Sequence, residues 1–217
     1  MKEQEGTPQE DPEREQIFDP PTMRLAKAAQ GGSKESFDKL YERLAPSLFS
    51  WARLRIPPSI RPFLDEQDVV QEVWLRAVSI IDRYDPEKVN FRAWIFRVAK
   101  NVLLEAIRKL RADPRMRMES GPSTRIFVVQ NCPDSITLMS VRMRRDEGIK
   151  IFTDYIDNLS SPDREILIHS GLEGLSAQEV ADRLNLTRES VTKRWQRLRE
   201  TLRSNGMLKE IIIDESH

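Results

Sequence analysis

The segment GLSAQEVADRLNLTRESVTKRWQRLRETL, residues 174–202, constrains the fold more than any other part of the chain. Ser176 followed by Glu179 is a capping-box pattern, in which side chain and backbone at a helix start satisfy each other's orphan donors. Val180, Ala181 and Leu184 give that helix an apolar face. Asn185-Leu186 makes a short turn, and Thr187 is placed to cap a second helix. In the second helix Val191, Trp195, Leu198 and Leu202 recur at helical steps and form one buried stripe. Two short helices at this spacing form a helix-turn-helix. The stripe leaves Arg188, Thr192, Lys193, Gln196 and Arg197 on the open side, where Arg can bond guanine bidentately and Gln can bond adenine in a major groove. The alternative is an ordinary charged helix in a bundle. Basic residues, caps and turn coincide in one short segment, and that coincidence favours DNA.

The same periodicity runs through the rest of the chain. From Ser33, the residues Phe37, Leu40, Tyr41, Leu44, Leu48, Trp51 and Ala52 lie at three- and four-residue steps. Pro46 is expected to break or bend this helix, because a mid-helix proline clashes with the preceding turn. Pro57, Pro58 and Pro62 mark a loop. A second helix is expected from Asp65, its N-cap, to Asp82, buried through Val70, Val73, Trp74, Ala77 and Ile81. Tyr84-Asp85-Pro86 reads as a turn. Asn90 then caps a third helix over 91–110, buried through Phe91, Trp94, Ile95, Val98, Val102 and Ala106. Helical pattern resumes near Ile136 and continues to about Leu208, with no convincing strand pattern between the helices.

The fold class is therefore all-α, with two small helical domains. Residues 1–22 read as a disordered acidic tail, 23–111 as the first domain, 112–135 as a linker, 136–208 as the helix-turn-helix domain, and 209–217 as a short carboxy-terminal tail. The linker carries Pro114, Gly121, Pro122 and Pro133 and opposing charges, with one short apolar run at Ile126–Val129. It is expected to be flexible, and the two domains to move independently about it.

Charge and composition narrow the function. Charged residues make up 32% of the 217-residue chain and hydrophobic residues 39%, a composition that forms a core in water. No apolar run is long enough to span a bilayer, and the first residues lack the apolar stretch of a secretory signal, so the expected location is cytoplasmic with no membrane partner. Cys132 is the sole cysteine, and His169 and His217 are the only histidines. An intrachain disulfide is excluded, and no metal or cofactor is expected. Phosphate-binding glycine loops and nucleophile elbows are absent, as is any convergent acid–base set, so the chain does not read as an enzyme.

The formal net charge of zero conceals sorted charges: residues 1–22 hold two basic and seven acidic residues, and 23–110 hold 16 and 11. In the third helix Arg92, Phe96, Arg97 and Lys100 lie away from the apolar stripe or at its border. An aromatic among cations can stack on unpaired bases, although a solvated face with one rim Phe has the same pattern. The second helix presents Asp65, Glu66, Asp68, Gln71 and Glu72. That face would repel DNA and suits a basic protein partner, while its first-turn carboxylates also complement the helix dipole.

DEQDVVQEVWLRA and DRYDPEKVNFRAWIFRVAKNVLLEAIRK together resemble region two of an extracytoplasmic-function (ECF) sigma factor, and SFDKLYERL resembles the start of that region. LSSPDREILIHSGLEGLSAQEVADRLNLTRESVTKRWQRLRETL resembles region four. The resemblance covers roughly residues 25–110 and 136–203, in family order. It implies a bacterial promoter-specificity subunit whose partners are core RNA polymerase and promoter DNA, with room for an anti-sigma factor as a third. The helix bearing Asp65, Asp68, Val69, Gln71 and Glu72 would then dock on the β′ clamp helices, and region four on the β flap. Tyr84, Asn90, Phe91 and Arg92 would capture a flipped base of the minus-ten element, and Arg97, Lys100 and Asn101 would contact DNA near the melted edge. Arg188, Thr192, Lys193, Gln196 and Arg197 would read the minus-thirty-five major groove. A two-domain helix-turn-helix regulator acting without polymerase is the competing reading; it would have no need of DEQDVVQEVWLRA or FRAWIFRVAKN.

Overall fold

The computed structural model describes residues 20–112 and 147–206. The first block holds α1 (Pro20–Gln30), α2 (Lys34–Arg55), α3 (Glu66–Ile80), a 3₁₀ turn (Ile81–Arg83) and α4 (Phe91–Ala112). The second holds α5 (Glu147–Asp157), α6 (Ser161–Ile166), a π-helical turn (Leu167–Leu172), α7 (Ala177–Leu184) and α8 (Arg188–Ser204). The described residues contain no strand. Of the expected linker, Ala112 is the last residue of α4, and 113–135, including Ile126–Val129, lies outside the described residues, as do 1–19 of the expected tail, 136–146 of the expected second domain and the end of the chain from 207.

Short polar side chains set the helix starts. Ser33 Oγ accepts from the Ser36 N–H at 3.2 Å at the head of α2. Asp65 accepts from Gln67 at 2.7 Å at the head of α3, and Asn90 Oδ1 accepts from Ala93 at 2.6 Å at the head of α4. Each satisfies an amide that the helix cannot. Two expectations need correction. The helical part begins at Pro20, inside the expected tail, because proline is compatible with a first helical turn and Thr22 is buried. Pro46 does not break α2, which runs unbroken through it. Proline removes one internal hydrogen bond at a cost of about 3 kcal/mol. Leu40, Tyr41 and Leu44 before it and Leu48, Trp51 and Ala52 after it are all buried, which offsets that loss.

The first unit is built around Trp74 of α3, whose indole is fully buried and meets Phe37 and Tyr41 edge-on, with centroids 5.5 and 5.0 Å away. The N–H₂ of Gln30, the last residue of α1, donates to the carbonyls of Ile81 and Tyr84 at 3.1 and 2.6 Å, fixing the chain between α3 and α4. In the second unit, α8 packs on α6 and α7. The two units do not stand apart: α5 and the π-helical turn lie against α2, and a single apolar core runs through both. The two units are in contact, which the expectation of separate domains did not include, because α2 and α4 meet partners more than seventy residues away that local periodicity does not reveal.

Candidate promoter and polymerase interfaces

The helix-turn-helix forms as its residues demand. Ser176 Oγ accepts from Glu179 N–H at 3.3 Å while the Glu179 carboxylate accepts from Ser176 N–H at 2.9 Å, completing the capping box. Asn185 ends α7 with φ 54°, a left-handed conformation that Asn tolerates better than most side chains. Thr187 caps α8 by accepting from Ser190 at 3.2 Å. Val191, Leu198 and Leu202 are buried; Trp195 packs against the core but keeps part of its surface in water. Arg194 reaches back to Asp163 at 2.8 Å, tying α8 to α6.

The opposite side of α8 is open. Arg188, Lys193, Gln196 and Arg197 are exposed and Thr192 is half-buried. They differ in readiness. Lys193 Nζ lies 2.6 Å from the Glu189 carboxylate, and the Thr192 hydroxyl donates to the Arg188 carbonyl at 3.0 Å. An exposed pair of this kind is weak and gives way to a phosphate at little cost. Lys193, Gln196 and Arg197 line an open groove along α8 with Ser190, Arg194, Arg199, Glu200 and Arg203.

On α4, Arg97, Lys100 and Asn101 are exposed on one side of the helix. The neighbouring residues assigned to base capture are placed differently. Phe91 is fully buried, and its ring meets those of Tyr84 and Trp94 at 5.3 and 5.2 Å. Tyr84 is buried too; burial first, and then the Asp85 carboxylate, push its phenol up to about 12. Asn90 spends its side-chain oxygen on the α4 cap. Arg92 is 6% exposed, and its guanidinium donates to the carbonyls of Leu172 and Gly171, both at 2.8 Å. Phe96, expected at the rim, is buried between Trp51 and Arg92, whose ring centroid and guanidinium carbon lie 6.0 and 5.6 Å away. The burials of Arg92 and Phe96 correct the expectation of an open aromatic-cationic face: the covering atoms come from α2 and from residues 171–172.

The acidic face of α3 is narrower than its sequence suggests. Asp65, Glu66, Asp68 and Glu72 are half-exposed, but Val69 and Gln71 are buried in the helical unit. Glu72 pairs with Arg76 at 3.1 Å, and Arg76 also holds Glu105 of α4 at 2.7 Å. Hydrogen bonds from Arg76 and Lys109 bring the Glu105 carboxyl down to about 2. The described residues contain no cluster of side chains suited to a metal ion, and no helix among them is long and apolar enough to cross a membrane.

Sequence reasoning missed the cluster that joins the two units. Glu173 accepts from the Trp51 indole N–H at 2.8 Å and from Arg55 at 3.2 Å, and its other oxygen lies 2.8 Å from His169 Nδ1. Arg55 also pairs with Glu165 at 2.9 Å. Burial pushes the Glu173 carboxyl up, but the His169, Trp51 and Arg55 contacts outweigh it and hold the group at about 2. Glu165, His169 and Glu173 share a helical face at four-residue steps, but only tertiary packing brings Trp51 and Arg55 to them.

The helical unit of α2–α4 and the helix-turn-helix unit are together the two recognition modules of one protein class. Residues 40–112 match the family described as Sigma-70 region 2, and residues 149–202 match Sigma-70, region 4. The RNA polymerase sigma factor NccH of Alcaligenes xylosoxydans is 26% identical over 82% of this chain and 90% of its own length. The ECF RNA polymerase sigma factor SigD of Mycobacterium tuberculosis is 24% identical over 82% of each chain. Among solved structures, that of CnrH in complex with the cytosolic domain of CnrY aligns at 24% identity and TM-score 0.42, covering 87% of this chain and 99% of that one. The chain belongs to the ECF sigma factors, RNA polymerase sigma factors of the sigma-70 family. Members are non-enzymatic transcription initiation factors, and the family's partners are core RNA polymerase and promoter DNA.

Proposed function

We propose that this sigma factor reads a promoter with two separate surfaces and is held on polymerase by a third. The outer face of α8, through Arg188, Thr192, Lys193, Gln196 and Arg197, reads duplex DNA in the minus-thirty-five major groove. The outer face of α4, through Arg97, Lys100 and Asn101, follows the strand at the melted edge, with Arg92 joining once it leaves its buried position. Asp65, Asp68 and Glu72 on α3 meet the β′ clamp helices, and region four sits on the β flap. The single observation that carries this reading is α8 itself. A capped helix with Val191, Leu198 and Leu202 buried beneath it turns Lys193, Gln196 and Arg197 to solvent on one side. An anti-sigma factor is a further partner that the family resemblance brings, one that would cover the polymerase-binding faces.

Comparing templates tests this division of labour. Arg197→Ala should weaken initiation on duplex promoter by about 1–3 kcal/mol if Arg197 holds a base, with relaxed preference at one upstream position. On a promoter already melted around minus ten, that loss should largely disappear. The double variant Arg97→Ala with Lys100→Ala should stay defective on both templates. Rescue of the α4 variant by pre-melting, or an Arg197→Ala variant that is silent on duplex DNA, would refute the assignment. Phe91 is unsuitable for this test because its burial makes any truncation a folding variant.

A further inference from the structure

We propose that Gln30, at the end of α1, is a positioning residue for promoter reading: it holds the Asp85–Asn90 loop in the one shape that selects a minus-ten base. The proposal rests on the promoter reading above for its functional half and on contacts alone for its structural half.

α1 lies before the stretch that matches Sigma-70 region 2 and carries none of the promoter- or polymerase-facing residues. It packs along α2 and also touches α4 and the 3₁₀ turn. Its end is sharply defined. Gly31 and Gly32 donate to the Lys27 and Ala29 carbonyls at 3.1 and 3.0 Å, and Gly32 takes a left-handed φ of 91° that only glycine adopts freely. That stop leaves Gln30 half-buried in the last turn, with its side chain reaching backbone more than fifty residues later.

Donors and acceptors match there. A side-chain amide nitrogen carries two N–H groups. That of Gln30 serves two carbonyls, Ile81 at 3.1 Å and Tyr84 at 2.6 Å. Tyr84 leaves the 3₁₀ turn in extended conformation, so the turn's own hydrogen bonds stop at that residue. The loop beyond is locally folded. The Asp85 carbonyl accepts from the Lys88 and Val89 N–H groups, both at 3.2 Å, and its carboxylate accepts from the Glu87 N–H at 3.1 Å. Asn90 fixes the far end through the α4 cap, and Gln30 fixes the near end. Glu87 and Lys88 stand exposed between them. Telling one base from another needs donors held to within about half an ångström. A loop free to swing about Tyr84 would still meet a strand through its charges but would not discriminate between bases.

Gln30→Met keeps the reach of the side chain and removes both donors. Two readouts on the full chain test the proposal. In the free protein, amide exchange at Lys88 and Val89 should quicken about tenfold, the equivalent of roughly one net hydrogen bond, while exchange in α8 stays unchanged. In holoenzyme with core polymerase, single-stranded oligonucleotides carrying a minus-ten element selected by the wild type, and its single-base variants, should bind within about threefold of one another. Affinity for core and the Arg197-dependent reading of duplex DNA should not move. Gln30→Lys restores donors on a side chain one atom longer, at a helix C-terminus where a cation is favoured, and should return both readouts to the wild-type pattern. Unchanged exchange in Gln30→Met overturns the hold on the loop. Faster exchange with wild-type base preference makes Gln30 structural alone and overturns its part in promoter reading. If wild-type holoenzyme selects no sequence, the promoter reading fails together with the functional half, and the exchange result still decides the hold on the loop.

Discussion

Glu173 offers the sharpest quantitative test of how the two units are held. Its carboxyl is held at about 2, against an ordinary value of 4.5. The folded protein therefore binds its proton less well than the unfolded chain does. Stability from this group is fully present above about pH 5 and is lost as pH falls from 4.5 toward 2. A shift of this size corresponds to up to ~3 kcal/mol, at 1.36 kcal/mol per unit. Glu173 keeps that figure because its side chain is only 12% exposed. The Glu105 carboxyl is held similarly low but is 30% exposed and gains far less from screened surface charges. Urea unfolding of wild type and Glu173→Gln between pH 3 and 7 reads the difference directly. The gap should reach roughly 2–3 kcal/mol above pH 5 and close as the pH falls. A gap that stays constant with pH would remove the ionised carboxylate from the account. A gap that grows as pH falls would mean that burial dominates and the sign is reversed.

Other substitutions probe separate parts of the structure. Trp74→Ala empties a fully buried site between Phe37 and Tyr41 and should cost about 3–5 kcal/mol, seen as a large fall in Tm with region two most affected. Ser176→Ala removes the capping box and should cost about 1 kcal/mol, read as faster amide exchange at the start of α7. Charge reversal at Asp68 and Glu72 should weaken binding to core polymerase while the protein stays folded, with a modest fall in Tm because Glu72 pairs with Arg76; equal affinity for the variant would exclude α3 as the docking face. Trp195→Ala should cost about 1–3 kcal/mol, less than a fully buried tryptophan, because part of the indole already lies in water.

The elements with local chemistry were the legible ones. Asp65, Asn90, Ser176 with Glu179, and Thr187 announce their helices because a cap is made within three residues of its acceptor. The stripes of α3, α4 and α8 follow because burial on one side of a helix repeats at its own period. The sequence could not place Arg92 or Phe96. Both lie on what reads as a cationic border, and the atoms that bury them belong to Trp51 and to residues 171–172. Gln71 and Val69 illustrate the same limit on α3, where the apolar stripe widens once neighbouring helices close around it. The outer face of α8 was legible for the opposite reason: no described residue covers Gln196 or Arg197, so the open side of the helical wheel stays open among the described residues.

Run-off transcription with core RNA polymerase, with and without this protein, on a library of bacterial promoter fragments tests the central claim most directly. The account predicts discrete new transcripts that depend on the added chain and share an upstream and a minus-ten element at fixed spacing. Transcripts unchanged by the protein, together with no detectable complex with core at micromolar concentrations, would contradict it.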